Sequence, residues 1–247
     1  MVIHSLSRKV NPFRFISMLV VMVTCVAILS CSKDNDPSPE DDAALQQEIG
    51  SLPGLGDQSG DPQGSAFKLP DGVTVDGTIT GEYCDEAEIR IGSGHYVTVC
   101  VGLRNDNDEE KKIIFPGGLI LVSETDEYQH GVVVEETMVV IPPKKTIRFI
   151  FHTYCGNSSR SSASSSAVYT FGPVTNSKLL GRLINDLKGK KIAAVDYWDE
   201  DGVSDDYYAI ESTVQALVWQ ITDGSAFMDW ETFNHMYQQQ LNELPNK

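Results

Sequence analysis

From Val97 to Leu103 every second residue is a large aliphatic, with Val97, Val99, Val101 and Leu103 alternating with Thr98, Cys100 and Gly102. A period of two marks a strand that buries one face. The same period returns downstream. Ile147, Phe149 and Phe151 share one face of the stretch from Thr146 to Tyr154, and Val132 to Ile141 reads as another strand. Ile113 to Val122 continues as strand, interrupted by Pro116-Gly117-Gly118. Asn105-Asp106-Asn107-Asp108 and Pro142-Pro143-Lys144-Lys145 are turn sequences. Short strands separated by turns predict a mainly β fold with an antiparallel β-sandwich. The sandwich is Ig-like by analogy alone, because no Cys–Trp–Cys core spacing is present.

Ser158 to Ser166 is a serine-rich linker, and after it the period lengthens. Asn176-Ser177 can cap a helix whose Leu179, Leu180, Leu183, Ile184 and Leu187 lie on one face, with Gly189 near its end. A second helix is predicted from Ser212 to Ile221, stopping at Asp223-Gly224. A third runs from about Phe227 to Leu241 and carries Trp230, Phe233, Tyr237 and Leu241. Residues 67–247 thus read as a single globular domain, 67–155 the sandwich part and 156–247 a small, mostly helical C-terminal part.

Ahead of this domain, an apolar run from Phe15 to Cys31 follows Arg8, Lys9 and Arg14 with no acidic residue. It is short for a bilayer span, which needs about 20 apolar residues. Its end, Ile28-Leu29-Ser30-Cys31, resembles the lipobox of bacterial lipoproteins. The resemblance implies a signal peptide over 1–30, lipidation of Cys31 and attachment to a membrane through that lipid alone. Residues 31–66, rich in Asp, Pro, Gly and Ser, read as an acidic flexible tether. Its opening, Ser32-Lys33-Asp34-Asn35-Asp36, is similar to the acidic tag of surface-exposed lipoproteins of some Gram-negative bacteria. The expected location is the outer membrane at the cell surface, with the periplasmic face as the alternative. The net charge of −16 argues against a nucleic-acid partner.

Beyond Cys31, the exported part carries Cys84, Cys100 and Cys155. Cys84 and Cys100 flank a hairpin and pair if its register brings their Cβ atoms within bonding distance; the other two pairings stay open. The acidic segment from Asp196 to Asp206 offers Asp199, Asp201 and Asp205 as oxygen ligands for calcium, the one cofactor considered. The EF-hand register fails there, with Tyr197 and Tyr208 at the first and last ligand positions. A solvated acidic loop is the stronger reading.

No His-Glu-x-x-His, phosphate-cradling loop, Cys-x-x-Cys or nucleophile elbow occurs, so no enzyme is expected. His95, His130, His152 and His235 are scattered along the chain. Two short stretches carry a sharper signal. Thr153-Tyr154-Cys155-Gly156-Asn157 ends the last strong strand, and Val214-Gln215-Ala216-Leu217-Val218-Trp219 lies in the second helix. They resemble the two motifs of thioester domains in bacterial surface adhesins. The resemblance implies an internal thioester between Cys155 and Gln215, in a dry pocket with Tyr154 and Trp219. Ser212-Thr213-Val214-Gln215 also fits a capping box, with Val214, Leu217, Val218 and Ile221 as a plain core stripe. Tyr83-Cys84 is a second aromatic–cysteine pair.

The function expected is adhesion or binding at the cell surface, covalent through Cys155 and Gln215, towards a protein or glycan partner. The alternative is a non-covalent structural or carbohydrate-binding subunit of a surface assembly. An accessory to an extracellular hydrolase comes third.

Overall fold

The computed structural model describes residues 39–81, 84, 87, 89–199, 202–224 and 228–247. The segment 1–30 expected to be a signal peptide and Cys31, the expected lipidation residue, lie outside them. In chain order the strands are β1 (Gly64–Ala66), β2 (Val73–Val75), β3 (Ile79–Gly81), β4 (Ile89–Gly92), β5 (Val97–Asn105), β6 (Lys111–Phe115) and β7 (Leu119–Ser123). They continue with β8 (Gly131–Val132), β9 (Thr137–Ile141), β10 (Thr146–Cys155), β11 (Val168–Thr175), β12 (Trp198–Asp199) and β13 (Gly202–Val203). The helices are α1 (Pro39–Gln46), α2 (Lys178–Leu187), α3 (Asp205–Thr222) and α4 (Trp230–Glu243).

The chain is mainly β with helices, as its two periods predict. Its principal sheet does not split into the two facing layers of an Ig-like sandwich. Strands β5, β3, β11, β7, β8 and β10 pair antiparallel in that order, and β10 returns to β5 from Thr146↔Arg104 to Thr153↔Val97. The ladder closes into a barrel, which removes the open edges that a sandwich leaves. β11 follows the serine-rich stretch and is broken by Gly172 and Pro173, yet it supplies the closing link by pairing both β3 and β7. Val132 to Ile141 is two strands, not one, because β8 pairs β7 and β10 while β9 leaves to pair β6.

Period two sorts the side chains into two cores. Val97, Val99, Val101, Leu103, Leu119, Leu121, Phe149 and Phe151 fill one, and Phe115 from the β6–β9 ribbon packs into it with its ring 4.9 Å from that of Phe151. Each such side chain taken from water contributes about 1.5–3 kcal/mol. The second core lies between the outward residues Ile120, Val132, Val134 and Tyr154 and the apolar faces of α2, α3 and α4. Ser177 caps α2, accepting from the Leu180 N–H at 3.1 Å. Helix α3 begins two turns ahead of Ser212, after Ser204, so Ser212 is inside the helix and no capping box forms there.

The tether reading of 31–66 also requires correction for the part described, since Pro39–Lys247 is one compact unit. Ile49, Leu52 and Leu55, sparse as they are, enter the helical core. Glu48 accepts the Ser177 hydroxyl at 2.6 Å and the Lys178 and Leu179 N–H groups at 3.0 and 2.9 Å, placing a carboxylate on the N-terminus of α2. Gly56 needs its glycine. Its φ is 58°, and a Cβ there would stand 1.9 Å from the Thr222 carbonyl oxygen.

Candidate functional site

Cys155 closes β10 on the same face as Phe149 and Phe151 and is fully buried. In a strand, alternate residues turn their N–H and C=O to opposite edges. Gly156 N–H donates to the His130 carbonyl at 2.9 Å, towards β8. Cys155 presents its own N–H and C=O the other way, beyond the last β5 partner. Gln215 meets both: its Oε1 accepts from Cys155 N–H at 2.8 Å, and its Nε2 donates to the Cys155 carbonyl at 2.8 Å. The Gln215 side chain, itself 1% exposed, replaces a neighbouring strand at this point. The two residues singled out by the sequence, 60 positions apart, are therefore in direct contact.

Around the sulfur, Asn157 N–H lies 3.3 Å from Sγ. Burial pushes the Cys155 thiol up to about 11, while the Trp219 indole and the Asn157 N–H draw it partly back. The thiol is thus protonated at neutral pH. Trp219 packs edge-on against Tyr96, ring centroids 5.5 Å apart. Asn157 is fixed in turn, its Nδ2 donating to the carbonyls of Gly54 and Gly56 and its Oδ1 accepting from His130 N–H. The wall over the site thus comes from the segment read as a tether.

Tyr154 does not join this pocket. Adjacent strand residues face opposite ways, so Tyr154 points into the helical core while Cys155 points into the barrel. Tyr169 stands near the sulfur instead, on the unpredicted strand β11, donating its hydroxyl to the Gln129 carbonyl at 3.1 Å. Cys84 and Cys100 are joined in a disulfide, and Cys155 is the free cysteine among the described residues. Of the calcium residues, Asp201 lies outside the described part, Asp199 pairs with Gly202 in the β12–β13 ribbon and Asp205 opens α3. Among the described residues no group of three or more His, Cys, Asp or Glu could hold a metal ion.

A second feature was hidden in the sequence. One turn before Gln215 on α3, Glu211 is 3% exposed and lines a cleft of about 810 Å³. His95 and His152, distant in sequence, line the same cleft. Desolvation raises the Glu211 carboxyl to about 7. Burial lowers His152 to about 4, helped by Arg90 and His95. Tyr207, Glu211 and Gln215 recur every fourth residue, a polar row on a buried helix face that would have been visible had the helix been started at Asp205.

Comparison with known proteins returns no match to a family model, to a curated protein or to a solved structure.

Proposed function

We propose that this chain is a lipid-anchored cell-surface binding protein that attaches to its partner covalently, through a thioester between Cys155 and Gln215. The observation that carries the reading is the pair of 2.8 Å hydrogen bonds holding the Gln215 carboxamide on the backbone of Cys155 in a buried site. They hold the carboxamide on the backbone of the residue that carries the nucleophile, which supports the reading because positioning is the entropic part of such a reaction.

The chemistry balances without a cofactor. Cys155 Sγ bonds to Gln215 Cδ, the Cδ–Nε2 bond breaks, and the thiol proton leaves on the amide nitrogen as ammonia. A primary amine of the partner, a lysine side chain of a protein, then attacks Cδ. The new amide forms, the C–S bond breaks and a proton returns to sulfur. The dry surroundings of Cys155 protect the acyl group from water until an amine arrives. In this reading Cys31 carries the lipid, the outer membrane is the location and the outer face is the working side.

Intact mass of a soluble Ser32–Lys247 polypeptide, purified without reductant, tests this. The thioester removes about 17 Da as ammonia, and methylamine then adds about 31 Da. The bond must vanish in Cys155→Ala. A loss of about 2 Da alone, the disulfide, would leave a non-covalent binding module.

A further inference from the structure

The cleft beside α3 contains a carboxylate with unused acceptor capacity. The Glu211 side chain is 4% exposed, and its buried Oε1 has no hydrogen-bond partner among the described residues. Native structures rarely leave such an atom unserved, and a ligand donor is one of the few ways to serve it. The nearest basic nitrogen is His95 Nδ1 at 4.0 Å, too far for a hydrogen bond. Burial also lowers the His95 pKa below its ordinary value, which disfavours a charged ring beside Glu211. His152 is neutral through burial and is turned to Thr98, 3.3 Å away.

Charge and shape narrow the donor. Glu135, Glu136 and Glu211 all line the cleft, with Glu135 paired to Lys247 at 3.1 Å and Arg90 as the permanent cation among the described lining residues. Aliphatic side chains make up much of the rest, with Ile89 and Val195 exposed at 43% and 76% and Tyr208 at 50%. Exposed apolar groups gathered at one opening mark a place where something docks. A cationic head on a short hydrocarbon stem fits both halves: the head for Glu211, the stem for Ile89, Val195 and Tyr208.

We propose that this cleft binds an alkylammonium group, with the Glu211 carboxylate receiving two of its N–H donors and the aliphatic rim covering its stem. Binding requires no covalent step. The groups that face Glu211 are His95 from the loop before β5, Tyr154 from β10, and Tyr207 from α3, whose hydroxyl accepts from the Gly94 N–H at 3.0 Å, while His152 and Arg90 line the same cleft. Burial disfavours the charged form of His95, and the like charge the ammonium meets is that of Arg90, which also lowers the His152 pKa. Gln215, one turn further along α3, does not itself line the cleft, so the binding does not rest on the thioester reading.

The test is a titration of n-butylammonium, with n-butanol as the uncharged isostere, into Ser32–Lys247 both unmodified and as Cys155→Ser, which can form no thioester. The Glu211 carboxyl carbon is followed by NMR. Saturable binding of n-butylammonium to both proteins is expected, with the Glu211 titration moving down by about one pH unit. n-Butanol should leave that titration in place, and Glu211→Gln should weaken binding at least about tenfold. Absence of saturation, an unmoved Glu211 titration in the unmodified protein, or equal binding of n-butanol would overturn the proposal. Because Cys155→Ser is included, a missing methylamine adduct leaves this result standing, and failed binding here leaves the thioester test untouched.

Discussion

Glu211 and Gln215 stand one turn apart on the same buried face of α3, and their polar ends have opposite fates. Gln215 is satisfied by a strand end, both of its amide atoms paired with Cys155. Glu211 lies beside a cleft with an unpartnered oxygen. One helix thus carries a fully used and an unused polar group within about 6 Å of each other along its surface.

The unused group leaves a signature in stability. With its pKa at about 7 against the ordinary 4.5, Glu211 keeps a proton in the native state that the unfolded chain releases. Stability should therefore fall as pH rises from 4.5 to 7, by on the order of 3 kcal/mol from this residue. Urea denaturation of wild type and Glu211→Gln at pH 5 and pH 8 checks it. The difference between the two pH values should shift towards greater relative stability of the variant at pH 8.

Two histidines act in the opposite sense. His130 and His152 are both lowered from 6.5 to about 4, chiefly by burial. The unfolded chain takes up protons below pH 6.5 that the native chain refuses until about pH 4, so stability is lost as pH falls through that window. Between pH 4.5 and 6.5 the two histidines outweigh the one glutamate, so the net effect of these three groups is a loss of stability as pH falls. For His130 the loss has a location. Its Nδ1 accepts from Ser123 N–H at 3.0 Å, a bond that a protonated ring cannot accept. Hydrogen exchange at pH 4.5 should open Ser123 and the neighbouring 128–131 backbone before the centre of β5.

Truncation at Gln215 should be costly irrespective of chemistry. Gln215→Ala leaves the buried N–H and C=O of Cys155 without partners, a loss of about 2–4 kcal/mol. Thermal and urea denaturation measure it. In mass spectrometry the same variant should show neither ammonia loss nor a methylamine adduct.

The N-terminal segment should prove structural. Glu48→Ala removes the carboxylate from the N-terminus of α2 and should destabilise the domain by about 1–2 kcal/mol. A polypeptide starting at residue 58 loses Ile49, Leu52 and Leu55 as well, and should unfold at markedly lower urea concentration than Ser32–Lys247.

Much of this was legible because period and chemistry coincide. The face carrying Val97, Val99 and Val101 and the stripe through Leu179, Leu180 and Leu183 each announce their element. The contact between Cys155 and Gln215 was reachable through motif resemblance, since residue type and order carry it. Barrel closure was not. It depends on β11, where Gly172 and Pro173 interrupt the alternation and the register slips between Phe171 and Val174. The inclusion of 47–56 was hidden too, because glycines with positive φ let a polar, sparse segment lie flat on α3 where side-chain counting sees a linker. The side assigned to Tyr154 failed for a simpler reason: a motif names neighbours in sequence, whereas a strand sends neighbours to opposite faces.

The stitching of that segment also has a mechanical side. Gly56 N–H bonds the Gly156 carbonyl at 2.7 Å, and Gly50 N–H bonds the Ile221 carbonyl at 2.8 Å. The route from the N-terminal side of the domain to the Cys155–Gln215 junction therefore crosses only a few residues. On the proposed reading, tension between a lipid at Cys31 and a partner bonded at Gln215 would run through this short path. The barrel would stand beside the line of force and would not have to bear it.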